Sequence, residues 1–302
     1  MRVLILGMGV QGQKRRKIAK NDFIGFVDPY NDNAKYKYYK EVPLSNFDAV
    51  IISTPDNVKI ELIEYFLENK KHVLVEKPLF SDSSDQLRKL NGIASKNKVM
   101  CYTAYNHRFE PHFVNMKNLI ETGELGEIYS IRLFYGNGTA RLVKESMWRD
   151  KGTGVLPDLG SHLLDTLKFW FGDIDGKIKI LSSRNFENEA FDHVILYNDS
   201  KILIQLEMSL LMWKNHFTAD IIAKNGSAHI SSLCKWGPSK FTFRKRKLPS
   251  GSPEEKTIVL TEPDPTWQLE YEWFTNSCKH PQKYNFGNVI NDIWINEVLN
   301  QL

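Results

Sequence analysis

Cysteine is scarce in this chain, three residues in 302. Cys101, Cys234 and Cys278 stand too far apart for a CxxC pair or an even-numbered disulfide framework. They read as isolated buried thiols, the usual state of free cysteine. No apolar run approaches the roughly 18 residues that a membrane-spanning helix needs, so no membrane association is expected. The first residues lack the charged, apolar and small-residue succession of a secretory signal and enter a strand pattern almost at once. A cytoplasmic location is therefore expected. Neither sign of charge dominates, since 40 Lys and Arg stand against 36 Asp and Glu for a net charge of +4. Internal repeats and low-complexity tracts are also missing.

Hydrophobic residues make up 42% and charged residues 25% of the chain, the balance of an ordinary globular protein. Its length allows two domains at roughly 100 to 200 residues each. Basic residues cluster twice, at Lys14-Arg15-Arg16-Lys17 and Arg244-Lys245-Arg246-Lys247. Short runs of this kind read first as solvated faces and second as contacts for an anionic substrate or a partner subunit. They do not make a nucleic-acid-binding protein.

From residue 1 to about 105, short β-branched runs alternate with longer polar-apolar stretches, the pattern of βαβ units around a parallel sheet. Strands are predicted over 2–6, 23–27, 47–53, 72–75 and 98–103, with helices over 10–20, 57–69 and 82–96. The polar stretch 31–43 is too short for a full helix and strand. After a helix over 110–122, a strand from 128 and a helix over 155–171, strand patterns succeed one another at 177–184, 190–197, 201–211, 217–224, 226–231 and 240–246. Helices over 266–280 and 287–301 close the chain. The expected fold is α/β: an N-terminal doubly wound Rossmann domain over 1–108, then an α+β domain over 109–302 with a large, mostly antiparallel sheet.

Gly7-Met8-Gly9-Val10-Gln11-Gly12 follows the apolar run Val3-Leu4-Ile5-Leu6 directly. Glycines at this spacing permit a tight turn and close backbone approach, while the following helix terminus offers free N–H groups to a pyrophosphate. Asp28 ends the next apolar run 19 residues after Gly9, near the interval at which a carboxylate meets the adenosine ribose. That carboxylate would repel a 2′-phosphate, so NAD is favoured, with NADP possible because Lys14, Arg15 and Arg16 are near. Ser53-Thr54-Pro55 closes another strand and suits a loop beside the cofactor.

Two further segments carry chemistry. Glu76-Lys77-Pro78 puts a lysine at the carboxyl end of a predicted parallel strand, where ligands of open α/β sheets lie. In Gly152–Asp165, Asp158 and His162 are four residues apart and share one helix face. The glycines there suggest close backbone approach. Taken alone, such a pair reads more simply as a capping aspartate and an ordinary histidine. The histidines show no spacing of a closed metal site, and no metal is expected.

Four elements in order, Gly7–Gly12, Val73-Leu74-Val75-Glu76-Lys77-Pro78, Tyr105-Asn106-His107-Arg108-Phe109, and Trp148-Arg149 leading into Gly154–Asp165, carry a resemblance over the whole chain. The sequence resembles the glucose-fructose oxidoreductase and inositol dehydrogenase family, Gfo/Idh/MocA. The resemblance implies hydride transfer between a secondary hydroxyl of a sugar, cyclitol or sugar nucleotide and the nicotinamide of NAD(P). It implies Lys77, Asp158 and His162 as the reacting groups. Gly7, Gly9, Val10, Gln11, Gly12, Asp28, Ser53, Thr54, Pro55, Glu76 and Lys77 fall to the cofactor. Asn106, Arg108, Trp148 and Arg149 fall to a small polar substrate or to support of its site. A homodimer or homotetramer formed through the open sheet is also implied. One departure is Lys59, where the family commonly has histidine. The alternatives are a non-catalytic dinucleotide-binding regulator, or altered chemistry on the same scaffold such as imine reduction, redox-neutral elimination or glycoside cleavage.

Overall fold

The computed structural model describes residues 1–146 and 149–302. It divides into two units, Met1–Asn106 with Trp267–Asn300, and His107–Thr266 with Gln301–Leu302. In the first unit β1 (Val3–Leu6), α1 (Val10–Ala19), β2 (Phe23–Val27), β3 (Ala49–Ile52), α2 (Lys59–Glu68), β4 (His72–Glu76), α3 (Ser84–Asn97) and β5 (Cys101–Ala104) alternate. The strands form one sheet in the order β2-β1-β3-β4-β5, every pair parallel. Strands β1, β3 and β5 are buried along their whole length, as continuous apolar runs in a sheet covered on both faces should be.

The register positions the site. Leu6 pairs with Val27 and Ile52, and Ile52 pairs with Val75. Gly7, Asp28, Ser53 and Glu76 consequently leave the sheet at one edge, around the point where strand order reverses between β1 and β3. The abbreviated 31–43 region holds a 3-10 turn, Tyr39–Glu41, and one bridge, Tyr36 to Val27. Helix α3 is capped by Ser83, whose Oγ accepts from the amide of Asp85 at 3.2 Å.

The second unit holds α4 (Pro111–Glu121), β6 (Ile128–Gly136), α5 (Ala140–Lys144), α6 (Ser161–Phe171), β7 (Lys179–Arg184), β8 (His193–Asp199), β9 (Leu203–Ser209), β10 (His216–Ala223), β11 (Gly226–Ser231), β12 (Ser239–Lys245) and β13 (Glu254–Leu260). The sheet order is β13-β12-β11-β10-β6-β9-β8-β7. All neighbours are antiparallel except β6 and β9. In β10, Phe217, Ala219, Ile221 and Ala223 alternate inward, the period of a strand with one covered face.

Three differences from the sequence reading shape the fold. The helix expected over 155–171 begins as a π-helical turn, Leu156–Gly160, before α6. Pro157 has no amide to donate to a tighter turn. Strand β13, not predicted, is exposed along nearly all its length; its charged residues suit an edge and mask the apolar alternation that reveals a strand.

The third difference concerns the closing helices α7 (Thr266–Ser277) and α8 (Val289–Gln301), which the sequence reading gives to the second domain. All but their outermost residues join the first unit. Asn288 Oδ1 accepts from the Thr103 amide at 2.7 Å, Asp292 Oδ2 from Thr103 Oγ1 at 2.7 Å, and Asn296 Oδ1 from the Ser81 amide at 3.0 Å. Satisfying these buried groups needs partners from the far end of the chain. Among the described residues, no helix is long and apolar enough to cross a membrane.

Candidate active site

The three glycines after β1 have three different surroundings. Gly7 has φ +82, and a Cβ built there lies 2.6 Å from the Ser53 carbonyl oxygen; a Cβ at Gly12 lies 2.0 Å from the Gly7 carbonyl oxygen. Those two glycines serve the turn and the packing of α1 on β1. A Cβ at Gly9 meets nothing within 4 Å. That open backbone at the start of α1 carries no side-chain cap and no acidic residue in the first turn, leaving N–H groups and the positive helix end for an anion. Val10 beside it is 73% exposed.

Asp28 is oriented by two backbone amides: Oδ2 accepts from Met8 N at 2.8 Å and Oδ1 from Tyr30 N at 2.9 Å. An ionised carboxylate has about four acceptor positions, so lone pairs remain for ribose hydroxyls. Next to this turn lies a groove of about 520 Å³ bordered by Met8, Gln13, Arg16, Phe26, Asn31 and neighbours. Across the sheet edge, Ser53 Oγ and Thr54 Oγ1 are buried with no hydrogen-bond partner among the described residues. Buried hydroxyls are normally paired, and these two await an acceptor or donor beside the open glycine. A dinucleotide supplies both the pyrophosphate and the polar groups such a cradle lacks. The residues present fit it.

Glu76 and the main chain around Lys77 are held from two sides. Arg15 is 1% exposed and donates to Glu76 Oε1 at 2.6 Å and Glu270 Oε2 at 2.7 Å, under the ring of Trp267 at 4.4 Å. The solvated-face reading of Lys14–Lys17 therefore fails at Arg15. The reason is geometric: the buried stripe of α1 is Gly12, Arg15 and Ala19, so one residue of the basic run must face inward. Burial opposes the Arg15 charge, but the two carboxylates outweigh it and hold the guanidinium above its usual range. Burial, with help from Glu76 and against Arg15, pushes Glu270 up to about 7. Lys59 Nζ donates to the carbonyls of Glu76 at 2.6 Å and Pro78 at 2.9 Å. Both polar groups of Glu76 are thus engaged within the unit. Lys77 itself is half-buried.

In the second unit the π-helical turn and α6 carry Asp158 and His162 into a polar cluster. Gly154 (φ +54) lets the chain enter it, because a Cβ there meets the Phe191 carbonyl oxygen at 2.2 Å. Its close approach is to backbone. The His162 ring stacks on His107, with centroids 4.1 Å apart and planes at 21°, and lies edge-on to Tyr135 at 5.8 Å. Lys235 Nζ reaches Tyr135 OH at 3.2 Å and His107 Nε2 at 3.4 Å. Since an ammonium only donates, this contact selects the His107 tautomer with a bare Nε2. Desolvation draws Lys235 below the usual lysine range, opposed by Asp264, Glu110, Cys234 and Asp158.

The predicted substrate group separates by partner. Arg149 pairs with Asp158 at 3.0 Å. Arg108 forms a bidentate pair with buried Asp165, at 2.8 and 2.5 Å, which locks the segment before α4 onto α6. Asn106 is buried in the first unit, and Trp148 lies outside the described residues. Sequence reasoning missed Tyr135 and Lys235, and noted Lys59 only as a departure from the family's histidine. Lys59 had a signal, standing at the head of the stripe Leu62, Ile63, Phe66 and Leu67; Lys235, in a short turn after β11, had none. All three cysteines are buried, as expected.

Comparison with known proteins agrees with this geometry. Residues 1–105 match a family model described as an oxidoreductase family with an NAD-binding Rossmann fold, and residues 113–229 match the GFO/IDH/MocA C-terminal domain. An uncharacterised oxidoreductase of Schizosaccharomyces pombe is 36% identical over 131 residues, covering 42% of this chain and 35% of the relative. Inositol 2-dehydrogenase of Rhizobium meliloti is 28% identical over 129 residues, covering 43% and 38%. The matched stretch thus spans little more than a third of each of these relatives. Levoglucosan dehydrogenase, solved in complex with NADH, shares the fold with a TM-score of 0.83 at 15% identity, covering 100% of this chain and 96% of that one.

Proposed function

The chain belongs to the Gfo/Idh/MocA family of NAD-binding oxidoreductases, and from that premise we propose that it moves hydride between a secondary hydroxyl of a small sugar or cyclitol and nicotinamide. One observation supports this most: Gly9 is open, the Ser53 and Thr54 hydroxyls are buried without partners, and Asp28 and Glu76-Lys77 leave the same sheet edge. The relatives named inositol 2-dehydrogenase and levoglucosan dehydrogenase suggest the substrate class.

In this reading the amides at Gly9–Gly12 hold the pyrophosphate and Asp28 accepts the ribose hydroxyls, which favours NAD over NADP. Bound nicotinamide supplies a hydride acceptor. His162 takes the hydroxyl proton as the C–H bond breaks, and the oxygen becomes a carbonyl. Lys77 stabilises the negative charge developing on that oxygen, in a role best filled by a fixed cation. Asp158, held by Arg149, orients the substrate and sets the local charge. Lys235 and Tyr135 brace the stacked His107 and His162 rings. Self-association as a dimer or tetramer belongs to the same proposal.

The test is initial-rate absorbance at 340 nm with NAD and NADP against a panel of inositols, aldoses, anhydrosugars and sugar nucleotides. NADH formation with at least one member, more efficient than NADPH formation, is expected. A chain that binds NADH yet reduces no cofactor with any member, and whose cellular effect survives Lys77→Ala, is instead a regulator.

A further inference from the structure

Lys59 is the first residue of α2 and is 2% exposed. An ammonium offers three donors and no acceptor. The structure supplies three acceptors: Asp56 Oδ1 at 2.6 Å, the Glu76 carbonyl at 2.6 Å and the Pro78 carbonyl at 2.9 Å. Two of them are the main-chain oxygens on either side of Lys77. The third belongs to the turn that follows Ser53 and Thr54. We infer that Lys59 is a positioning residue for Lys77, a clamp that fixes the segment Glu76–Pro78 against the cofactor turn; this rests on the proposed role of Lys77.

Packing alone gives no reason for a charge here. An apolar side chain would extend the stripe Leu62, Ile63, Phe66 and Leu67 without the desolvation that a buried cation suffers. Burial does draw Lys59 below the usual lysine range, against Asp56 and Glu76, while the nearby Lys77 charge works in the same direction as burial. Only a group with several donors can hold both carbonyls and Asp56 together. A histidine, with two ring nitrogens, could engage at most two of the three. Arg15 restrains the Glu76 side chain, so Lys59 restrains what Arg15 leaves free, the main chain that bears Lys77.

The experiment uses the full chain with Lys59→Met, Lys59→Arg and, as a control, Lys89→Met, whose exposed lysine pairs with Glu64. Three quantities are read: amide hydrogen exchange of the peptide 72–80, the NADH dissociation constant from fluorescence titration, and acetic anhydride labelling of Lys77 with and without NADH. For Lys59→Met the expected result is exchange at Lys77 and Leu79 faster by on the order of tenfold. NADH shielding of Lys77 should fall although NADH still binds, Lys59→Arg should recover much of both, and Lys89→Met should match wild type. Wild-type exchange and shielding in Lys59→Met overturn the clamp. If that variant does not fold, Lys59→Gln, which keeps two donors without the charge, is read by the same criteria. NADH that binds wild type without shielding Lys77 refutes the proposed place of Lys77 at the nicotinamide, and the exchange rates then decide on the clamp alone.

Discussion

Arg15 Nε donates to Glu76 Oε1 at 2.6 Å, joining the helix that follows the glycine turn to the end of the strand that presents Lys77. Glu270 takes the other arm of the same guanidinium. Removing the cation leaves Glu76 and Glu270 facing each other with little solvent. Breaking a buried ion pair from one side costs about 3–5 kcal/mol. Arg15→Met should therefore lower the urea midpoint by that equivalent, and Arg15→Lys, which cannot fork, should fall between. A midpoint within about 0.5 kcal/mol of wild type for Arg15→Met would show that the network adds no stability.

The same network makes stability depend on pH. Glu270 has a folded pKa of about 7 against an unfolded 4.5, chiefly because it is buried. Between those values the folded state binds more protons than the unfolded one, so this group's contribution is full below about pH 4.5 and is lost as pH rises through about 7. The linked loss is at most about 3 kcal/mol. A Glu270→Gln side chain is an amide and does not titrate. Denaturation of wild type and Glu270→Gln at pH 5 and pH 8 should show a smaller decline in the variant; equal declines would remove Glu270 from the pH dependence.

The parallel sheet, the glycine turn and the strand ends could be read from the sequence because apolar runs and glycine spacing report local backbone needs. Arg15 and Lys59 could not be placed that way. Each is a cation in the inward stripe of its helix, and its burial makes sense only with Glu76, Glu270 or Pro78, which lie 17 to 255 residues away. The last two helices join the first unit for the same reason: Glu270 of α7 meets Arg15, and α8 meets Thr103 and Ser81, 189 to 255 residues earlier. Asp158 and His162 could be found by spacing, whereas Lys235 joined them through the sheet, and composition gave no hint of that.

Gly9 and Gly12 should respond differently to one methyl group. At Gly12 the added Cβ meets the Gly7 carbonyl oxygen at 2.0 Å, and backbone must move; at Gly9 it meets nothing within 4 Å. Gly12→Ala should destabilise the fold by about 1–3 kcal/mol, as overpacking does. Gly9→Ala should melt close to wild type, because the methyl meets no neighbour at this extended N-cap position, yet bind NADH on the order of tenfold or more weakly as its methyl occupies the pyrophosphate's path. Thermal melts and calorimetric NADH titration separate the two. Unchanged NADH affinity in Gly9→Ala would move the pyrophosphate elsewhere.

The proposed chemistry has Lys77 and His162 act on one hydroxyl. Each should be costly to remove alone. Lys77→Met and His162→Asn are each expected to lower kcat by about 10²–10⁴, the usual range for a positioned acid or base. The NADH dissociation constant should move little, since neither holds the pyrophosphate or the ribose. Groups that serve one proton transfer lose their effects together, so the double variant should be about as slow as the worse single variant. Independent sites would multiply. Steady-state rates for the four proteins on the best substrate of the panel complete the cycle, and strictly multiplicative losses would show that the two side chains do not meet at one reacting centre.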